Sequence, residues 1–467
     1  MPRCAAPHVG ATARRWFKVN GLPSRAWTPW SSWASRSPRI LDTVNRKPSS
    51  LLRIWLAAAC ICALAGSETF AACDARDEDS CSHNGDCVSG SCTCLAGWTG
   101  ARCDRLKLLP ATPGGGFDAA VASGACQSGR NCSSMAGVWG AGIIQGDDDG
   151  IYHLFVNVMS GDCPWLVEQV AHGQPAASWY PVLLGTNSHI VHAVSHHPEG
   201  PFLPRDVAIP NVANNPLVTR AASGKGPYYL WFEGRPLVEL NRTAPICNGT
   251  KMCVANCDAH SYSALNPGPM SVATSNSLDG PWTIHPLGLS QHRIGAWDAG
   301  ADLTNPAAYT FANGTTILVY RTEGGKQSWQ MGVAVGPTPT GPFEQPNSTA
   351  FPEHAEDPVI WVDSRGVFQM LLHNCSGIGP PTPGGSGCCH CLMASGSAWS
   401  TDGRRWHVRG TEPYSYNVSY SDGSVVACQR REEPKLLFNG FGQPTHLVTL
   451  CAFANFTTRV IVQPIAQ

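Results

Sequence analysis

Between Thr304 and Asn374 the chain runs twice through one pattern of apolar and polar positions. Asn305-Pro306 opens a run of apolar, aromatic and β-branched residues that breaks at Asn313-Gly314 and resumes to Leu318. Asp357-Pro358 opens a second run that breaks at Arg365-Gly366 and resumes to Met370. Partial alternation over short runs predicts strands. A glycine between them supplies the positive φ of a tight turn. Proline at a strand start costs little, because its missing N–H lies outside the ladder. Each copy therefore predicts a β-hairpin.

Counting from each turn glycine finds the same spacing elsewhere. Gly150 has Gly142 before it and Leu154 after, Gly226 has Pro216 and Leu230, and Gly442 has Pro434 and Leu447. That gives five predicted hairpins, with turns at 150, 226, 314, 366 and 442. A second phrase falls between them: Val194-Ser195 to Gly200-Pro201-Phe202, Val272-Ala273 to Gly280-Pro281-Trp282, and Val333-Ala334 to Gly341-Pro342-Phe343. A worn copy runs from Ala398-Trp399-Ser400 to Trp406. Each unit is thus two hairpins, and repeats of that size predict propeller blades rather than a two-sheet sandwich. The predicted fold class is all-β: a five-bladed β-propeller over residues 130–467, behind a small disulfide-rich module.

Composition agrees. Charged residues make up 14% of the chain, with 48 glycines and 37 prolines, as turn-rich β structure requires. A net charge of −1 gives no reason to expect a nucleic-acid partner. Residues 1–53 carry ten Lys and Arg against one acid, Asp42, and Ile54–Gly66 is an apolar run of thirteen. This is the pattern of a secretory signal with a long basic lead. Thirteen residues fall short of the roughly 20 of a membrane span; an uncleaved anchor through 54–66 is the alternative.

Cys73, Cys81, Cys87, Cys92, Cys94 and Cys103 fall within about thirty residues. So small a module lacks an adequate apolar core and depends on bridges, and spacing alone leaves all 15 connectivities open. Asn84-Gly85 and the ending Cys92-Thr-Cys94-Leu-Ala-Gly97-Trp98-Thr-Gly100-Ala-Arg-Cys103 resemble the epidermal growth factor-like (EGF-like) module over 73–103. The resemblance implies the pairs Cys73–Cys87, Cys81–Cys92 and Cys94–Cys103. The calcium-binding subtype has acids before its first cysteine, where Ala71-Ala72 stand here, so no calcium is expected. Residues 106–125, with Pro110, Pro113 and Gly114-Gly115-Gly116, read as a linker. Beyond it lie twelve more cysteines, and Asn-x-Ser/Thr sequons stand at Asn131, Asn241, Asn248, Asn313, Asn347, Asn374, Asn417 and Asn455. Disulfides and sequons together make secretion the consistent expectation. For Cys388-Cys389-His390-Cys391, disulfides are expected rather than a metal site.

A propeller binds ligands where its inner strands start around the funnel. The register just before the proline (or Gly142) reads Ala141, Asn215, Asn305, Asp357 and Glu433; one residue earlier it reads Gly140, Asn214, Thr304, Glu356 and Glu432. Polar residues before proline also cap strands and turns, and Asn215 is read that way. Five blades with such starts resemble glycoside hydrolase family 43 and the wider arabinanase, levansucrase and invertase group. That resemblance implies Glu356 as general acid, with Asn305 where an acid-tuning Asp would stand and Ala141 where the general base would stand. The departure leaves the base to a displaced carboxylate: Asp298, Asp302, Glu432, Glu433 or Glu233. Strand alternation is expected to point Glu356 and Asp357 to opposite faces. Glu356, Asp302 and Glu433 are the catalytic candidates. Trp139, Asn305, Asp357, Arg321, Glu432 and His373 are the substrate-binding candidates, with core packing as the alternative for Trp139. No cofactor or metal is expected. Three functions are open: a secreted glycosidase of altered site, a propeller that binds a glycan or polysaccharide without cleaving it, and an extracellular protein whose EGF-like module is a spacer toward a protein partner.

Overall fold

The computed structural model describes residues 73–118 apart from 75, 76 and 78; 137–159 apart from 148 and 149; 188–234 apart from 211, 212 and 225; 270–323 apart from 291, 292 and 294; 329–375; 393–453; and 457–467. Among these the only helix is a single 3-10 turn, Ser80–His83; every other regular element is a strand.

The cysteine-rich segment forms β1 (Gly85–Val88), β2 (Ser91–Cys94), β3 (Trp98–Thr99) and β4 (Arg105–Leu106). Its bridges are Cys73–Cys87, Cys81–Cys92 and Cys94–Cys103, the pairing that the resemblance implied. After β5 (Phe117–Asp118) come five sheets. Blade one is β6 (Gly137–Gln145), β7 (Tyr152–Met159), β8 (Ser188–Ser195) and β9 (Leu203–Ile209). Blade two is β10 (Asn214–Arg220), β11 (Tyr228–Glu233), β12 (Met270–Ser275) and β13 (Thr283–Pro286). Blade three is β14 (Asp302–Thr310), β15 (Thr316–Glu323) and β16 (Met331–Gly336), with one bridge, Val335 to Glu344, where a fourth strand would run. Blade four is β17 (Ala355–Val362), β18 (Phe368–Asn374), β19 (Gly396–Ser400) and β20 (His407–Arg409). The hairpin β21 (Asn417–Ser419) and β22 (Val425–Ala427) leads into blade five: β23 (Arg430–Phe438), β24 (Pro444–Ala452), β25 (Thr458–Pro464) and, from the other end of the chain, β5. The five hairpins stand where the glycine spacing predicted them. Gly150, Gly226, Gly314, Gly366 and Gly442 all have positive φ, between 63° and 90°.

The core lies between adjacent blades. Val138, Ile143, Leu154 and Phe202 of blade one and the adjoining loop meet Leu437, Val448 and Val460 of blade five. Phe155 and Ile190 of blade one meet Val218, Leu230 and Phe232 of blade two. A longer cluster runs through blades two to five and takes in Trp98, Leu106 and the disulfides of the cysteine-rich module.

Two expectations change. The stretch read as a linker is built into the ring: Phe117 and Asp118 pair with Val460 and Arg459 as the fourth strand of blade five, and Leu108 bridges Ile465. β5 covers part of the β25 edge that blade five would otherwise present. Nor is the EGF-like module a spacer. His83 stacks on Trp399 of blade four with ring centroids 3.6 Å apart, and Trp399 Nε1 donates to Asp79 at 3.0 Å. Gln369 Nε2 donates to the His83 carbonyl at 3.2 Å, and the Gly97 amide to the Ala466 carbonyl at 3.1 Å.

Candidate functional site

The inner strands carry one irregularity five times. Register breaks fall at Val138/Ala141, Asn214/Leu217, Thr304/Ala307, Glu356/Val359 and Glu432/Lys435. Each is a bulge in which two residues face one on the partner strand, and the one extra residue re-aims the strand. The first bulge residue is left-handed in four blades: Asn215 at φ 49°, Asn305 at 52°, Asp357 at 55° and Glu433 at 55°. In blade one Gly140 takes that conformation at φ 72°. Ala141 lies past the bulge and pairs with Val156, so the blade-one residues at this register are Trp139 and Gly140, not Ala141. Neither carries a titratable group.

The bulge also breaks alternation, so Glu356 and Asp357 do not diverge as expected. Oxygens of Glu356, Asp357 and Glu432 and a ring nitrogen of His373 all lie within 4.8 Å of one another. Glu356 and His373 are cross-strand partners, and His373 Nδ1 meets Glu356 Oε1 at 3.0 Å. The other Glu356 oxygen accepts from Arg321 Nη1. Arg321 also donates to Thr304 Oγ1 at 3.0 Å and Glu323 at 2.6 Å, and its guanidinium lies 5.3 Å from the Trp329 ring centre. Thr304 Oγ1 donates to Asn305 Oδ1 at 3.0 Å, and Asn305 Nδ2 to Asp357 at 2.5 Å. The Glu433 amide reaches the other Asp357 oxygen at 3.3 Å. Lys435 pairs with Glu433 at 3.0 Å, and Arg430 with Glu432 at 2.5 Å. In blade two, Asn215 Nδ2 donates to the buried Glu233 at 3.3 Å.

These contacts divide the carboxyls. Burial alone would raise Glu356, but the Arg321 charge and the His373 contact outweigh it and hold the group at about 2. Asp357 moves the other way: burial, then the charges of Glu433, Glu356 and Glu432, push it well above the usual carboxylate range. Burial opposes charge on His373, yet Glu432 and Glu356 raise its pKa. Arg321 pairs with Glu356, Arg430 with Glu432 and Lys435 with Glu433.

The general acid expected at Glu356 therefore meets a contrary environment. Such an acid needs a raised pKa, and an arginine in contact does the reverse. The carboxyl pair of a glycosidase also stands about 5–9.5 Å apart around the scissile bond. Here the acids are buried and in mutual reach.

Several other candidates find structural places. Trp139 is 6% exposed, belongs to the core between blades one and five, and lies under Arg430 at 4.9 Å. Asp298 is fully buried, held by Arg293 at 2.7 Å and by the Tyr320 hydroxyl at 2.9 Å. Asp302 stays half-buried at the bulge end of blade three, directly across from Glu323. Trp329, half-buried at φ 67°, stands in the same place and was missed. It falls outside the repeat, and no spacing pointed to it. Cys388-Cys389-His390-Cys391 and residues 54–66 lie outside the described residues. Of the sequons, Asn313, Asn347 and Asn417 are exposed, whereas Asn374 is 4% exposed within β18 and has no room for a glycan. Two groups outside the disulfides have metal-ligand spacing among the described residues: Glu356, Asp357, His373 and Glu432, and His153, His192 and Asp279. The first is already occupied by the charges of Arg321 and Arg430.

Residues 78–105 match the profile of a Teneurin-like EGF domain. No curated protein sequence matches the chain. Solved structures similar to it include glycoside hydrolases. The catalytic domain of a family 62 α-L-arabinofuranosidase from Coprinopsis cinerea is 11% identical, with a TM-score of 0.46 over 71% of this chain and 92% of that one. A family 117 glycoside hydrolase of Zobellia galactanivorans is 17% identical, with a TM-score of 0.43 over 72% and 86%. An exo-β-1,3-galactanase from Phanerochaete chrysosporium is 13% identical, with a TM-score of 0.41 over 70% of this chain and 60% of its own. The present chain thus spans about three fifths of that galactanase, and the likeness is one of fold. No helix of the described residues is long and apolar enough to cross a membrane.

Proposed function

We propose that this is an extracellular propeller that binds a glycan at the bulge end of blades three and four and does not cleave it through Glu356. The observation that carries the reading is the wall formed by Trp329, Arg321, Glu323 and Asp302. Trp329 presents a half-buried indole backed by the Arg321 guanidinium at 5.3 Å, and Arg321 holds Glu323 at 2.6 Å. A sugar ring offers an apolar C–H face for the indole. Its hydroxyls suit carboxylates, of which Glu323 keeps 26% of its side-chain surface exposed. Small-ligand sites pair an aromatic surface with a few fixed polar groups. Behind the wall, buried Glu356 pairs with Arg321 and fixes it. Six disulfide-bonded cysteines in the EGF-like module are consistent with an oxidising compartment.

The experiment is a binding and cleavage screen of the secreted protein on immobilised polysaccharides. Binding without release of reducing ends is expected, and Trp329→Ala should weaken it about tenfold or more, the scale of a lost aromatic anchor. Sugar release that Glu356→Gln abolishes would overturn the reading and restore the glycosidase.

A further inference from the structure

Trp329 stands in a backbone conformation that its residue type avoids. Its φ of 67° is left-handed, a region that strains bulky residues and is left mainly to Gly, Asn and Asp. Among the described residues, every other non-glycine residue at positive φ lies in the EGF-like module or is one of the bulge residues Asn215, Asn305, Asp357 and Glu433. Backbone hydrogen bonds show what holds it. The Trp329 amide donates to the Thr322 carbonyl at 2.7 Å, and the Thr322 amide donates to the Gln330 carbonyl at 2.9 Å. Two residues thus answer to one, as in a β-bulge whose left-handed first position normally falls to glycine. Here that position carries an indole.

The Thr322 side chain completes the clamp. Its hydroxyl accepts from the Gln330 amide at 3.2 Å and donates to the Gln330 carbonyl at 3.1 Å. Thr322 is fully buried and Gln330 nearly so, which keeps these bonds away from water. On the other side, the Ala355 amide donates to the Trp329 carbonyl at 3.0 Å, and Gln330 Nε2 donates to the Pro352 carbonyl at 3.1 Å. Pro352 and Ala355 lead into β17 just ahead of Glu356, so the strained peptide is fixed between blades three and four. Arg321, the residue before Thr322, backs the indole at 5.3 Å and is itself held by Thr304, Glu323 and Glu356. Strain that its surroundings maintain collects at ligand sites. Glycine would relieve it but would remove the aromatic surface.

We infer, resting on the glycan-binding reading above, that Thr322 is the positioning residue of that site. Through Gln330, its hydroxyl keeps Trp329 left-handed, so the indole is set for a sugar ring before one arrives. A surface fixed in advance loses less freedom on binding. Affinity then scales with the fraction of molecules that hold the preset conformer.

The test is fluorine NMR of the full-length protein labelled with fluorotryptophan, the Trp329 signal being assigned by its loss in Trp329→Phe. Wild type should give one Trp329 signal. Thr322→Val, which keeps the shape and deletes the hydroxyl, should move or double that signal, and Thr322→Ser should restore it. On the immobilised polysaccharides of the screen above, Thr322→Val should bind about tenfold more weakly, the effect of leaving about a tenth of the molecules in the preset conformer. Strain is read from two variants that both lack the indole and leave Thr322 intact. Trp329→Gly should melt above Trp329→Ala, the reverse of the ordinary order, because glycine tolerates the left-handed backbone and alanine does not. The role of Thr322 is overturned if Thr322→Val leaves the Trp329 signal in place, as a threonine that serves packing alone would. It is overturned equally if Thr322→Ser fails to restore the signal, or if Trp329→Ala melts at or above Trp329→Gly. Wild type that binds no polysaccharide would instead refute the glycan reading, and the fluorine signal and melting order would still judge the clamp.

Discussion

Asn305 is where one residue type decides the character of the site. Its Nδ2 donates to Asp357 at 2.5 Å across the seam between blades three and four. An aspartate there would set a second carboxylate against one whose pKa already lies well above normal. The two could share a proton but could not both ionise cheaply. Asn305→Asp is therefore expected to cost roughly 1–3 kcal/mol at neutral pH, the scale of an unmet buried polar pair. The sign with pH follows from proton counting. The new carboxyl would have a folded pKa above its unfolded value of about 3.9, so the native state holds more protons and stability falls as pH rises above roughly 4. Denaturant midpoints at pH 4 and pH 7 check this: the variant should approach wild type at the lower pH. A deficit that is the same at both would show that Asn305 acts by shape and not by charge. Glu356 behaves oppositely in wild type. Held at about 2, it contributes stability above its unfolded pKa that is lost as pH falls toward 2.

At the scale of elements, the hairpins were legible because their signals are local. Asn313-Gly314 or Arg365-Gly366 between β-forming runs states turn and strands in one short window. Blade one was read two residues out, because its bulge is Trp139-Gly140, with no proline, and Gly142 imitated the missing marker. Bulges also defeat period-two reasoning, which is why Glu356 and Asp357 were sent to opposite faces. The closing strand β5 is two residues long and pairs with β25 across most of the chain, so no local pattern could show it. The blade-one bulge makes its own prediction. A Cβ on Gly140 would meet Glu433 Cγ at 3.1 Å, and Glu433 is pinned by Lys435. A Cβ on the turn residue Gly366 would meet nothing within 4 Å. Both substitutions to alanine pay about 1–2 kcal/mol for left-handed backbone, but Gly140→Ala should cost roughly 1–2 kcal/mol more for overpacking. Equal losses in chemical denaturation would mean that the ring has room at blade one.

For the whole molecule, the question is whether module and propeller are one folding unit. The chain leaves the module through β4, where the Leu106 amide bonds the Pro413 carbonyl at 2.9 Å, and bridges Ile465 from Leu108. It then closes blade five with β5. The module's own loop grips blade four. Trp399 is packed between His83 at 3.6 Å and His407 at 4.4 Å, and its indole N–H is capped by Asp79. The Asp79 and His83 side chains both meet Trp399, so they report docking. Replacing both with alanine removes one hydrogen bond and one stacked pair, about 1–3 kcal/mol together. If module and propeller unfold together, scanning calorimetry of wild type shows one transition, and the double variant lowers that transition by a few degrees. A tethered module would unfold separately and leave the propeller's midpoint where it was. That outcome would return the module to the role of a spacer and leave its contacts with blade four without energetic weight.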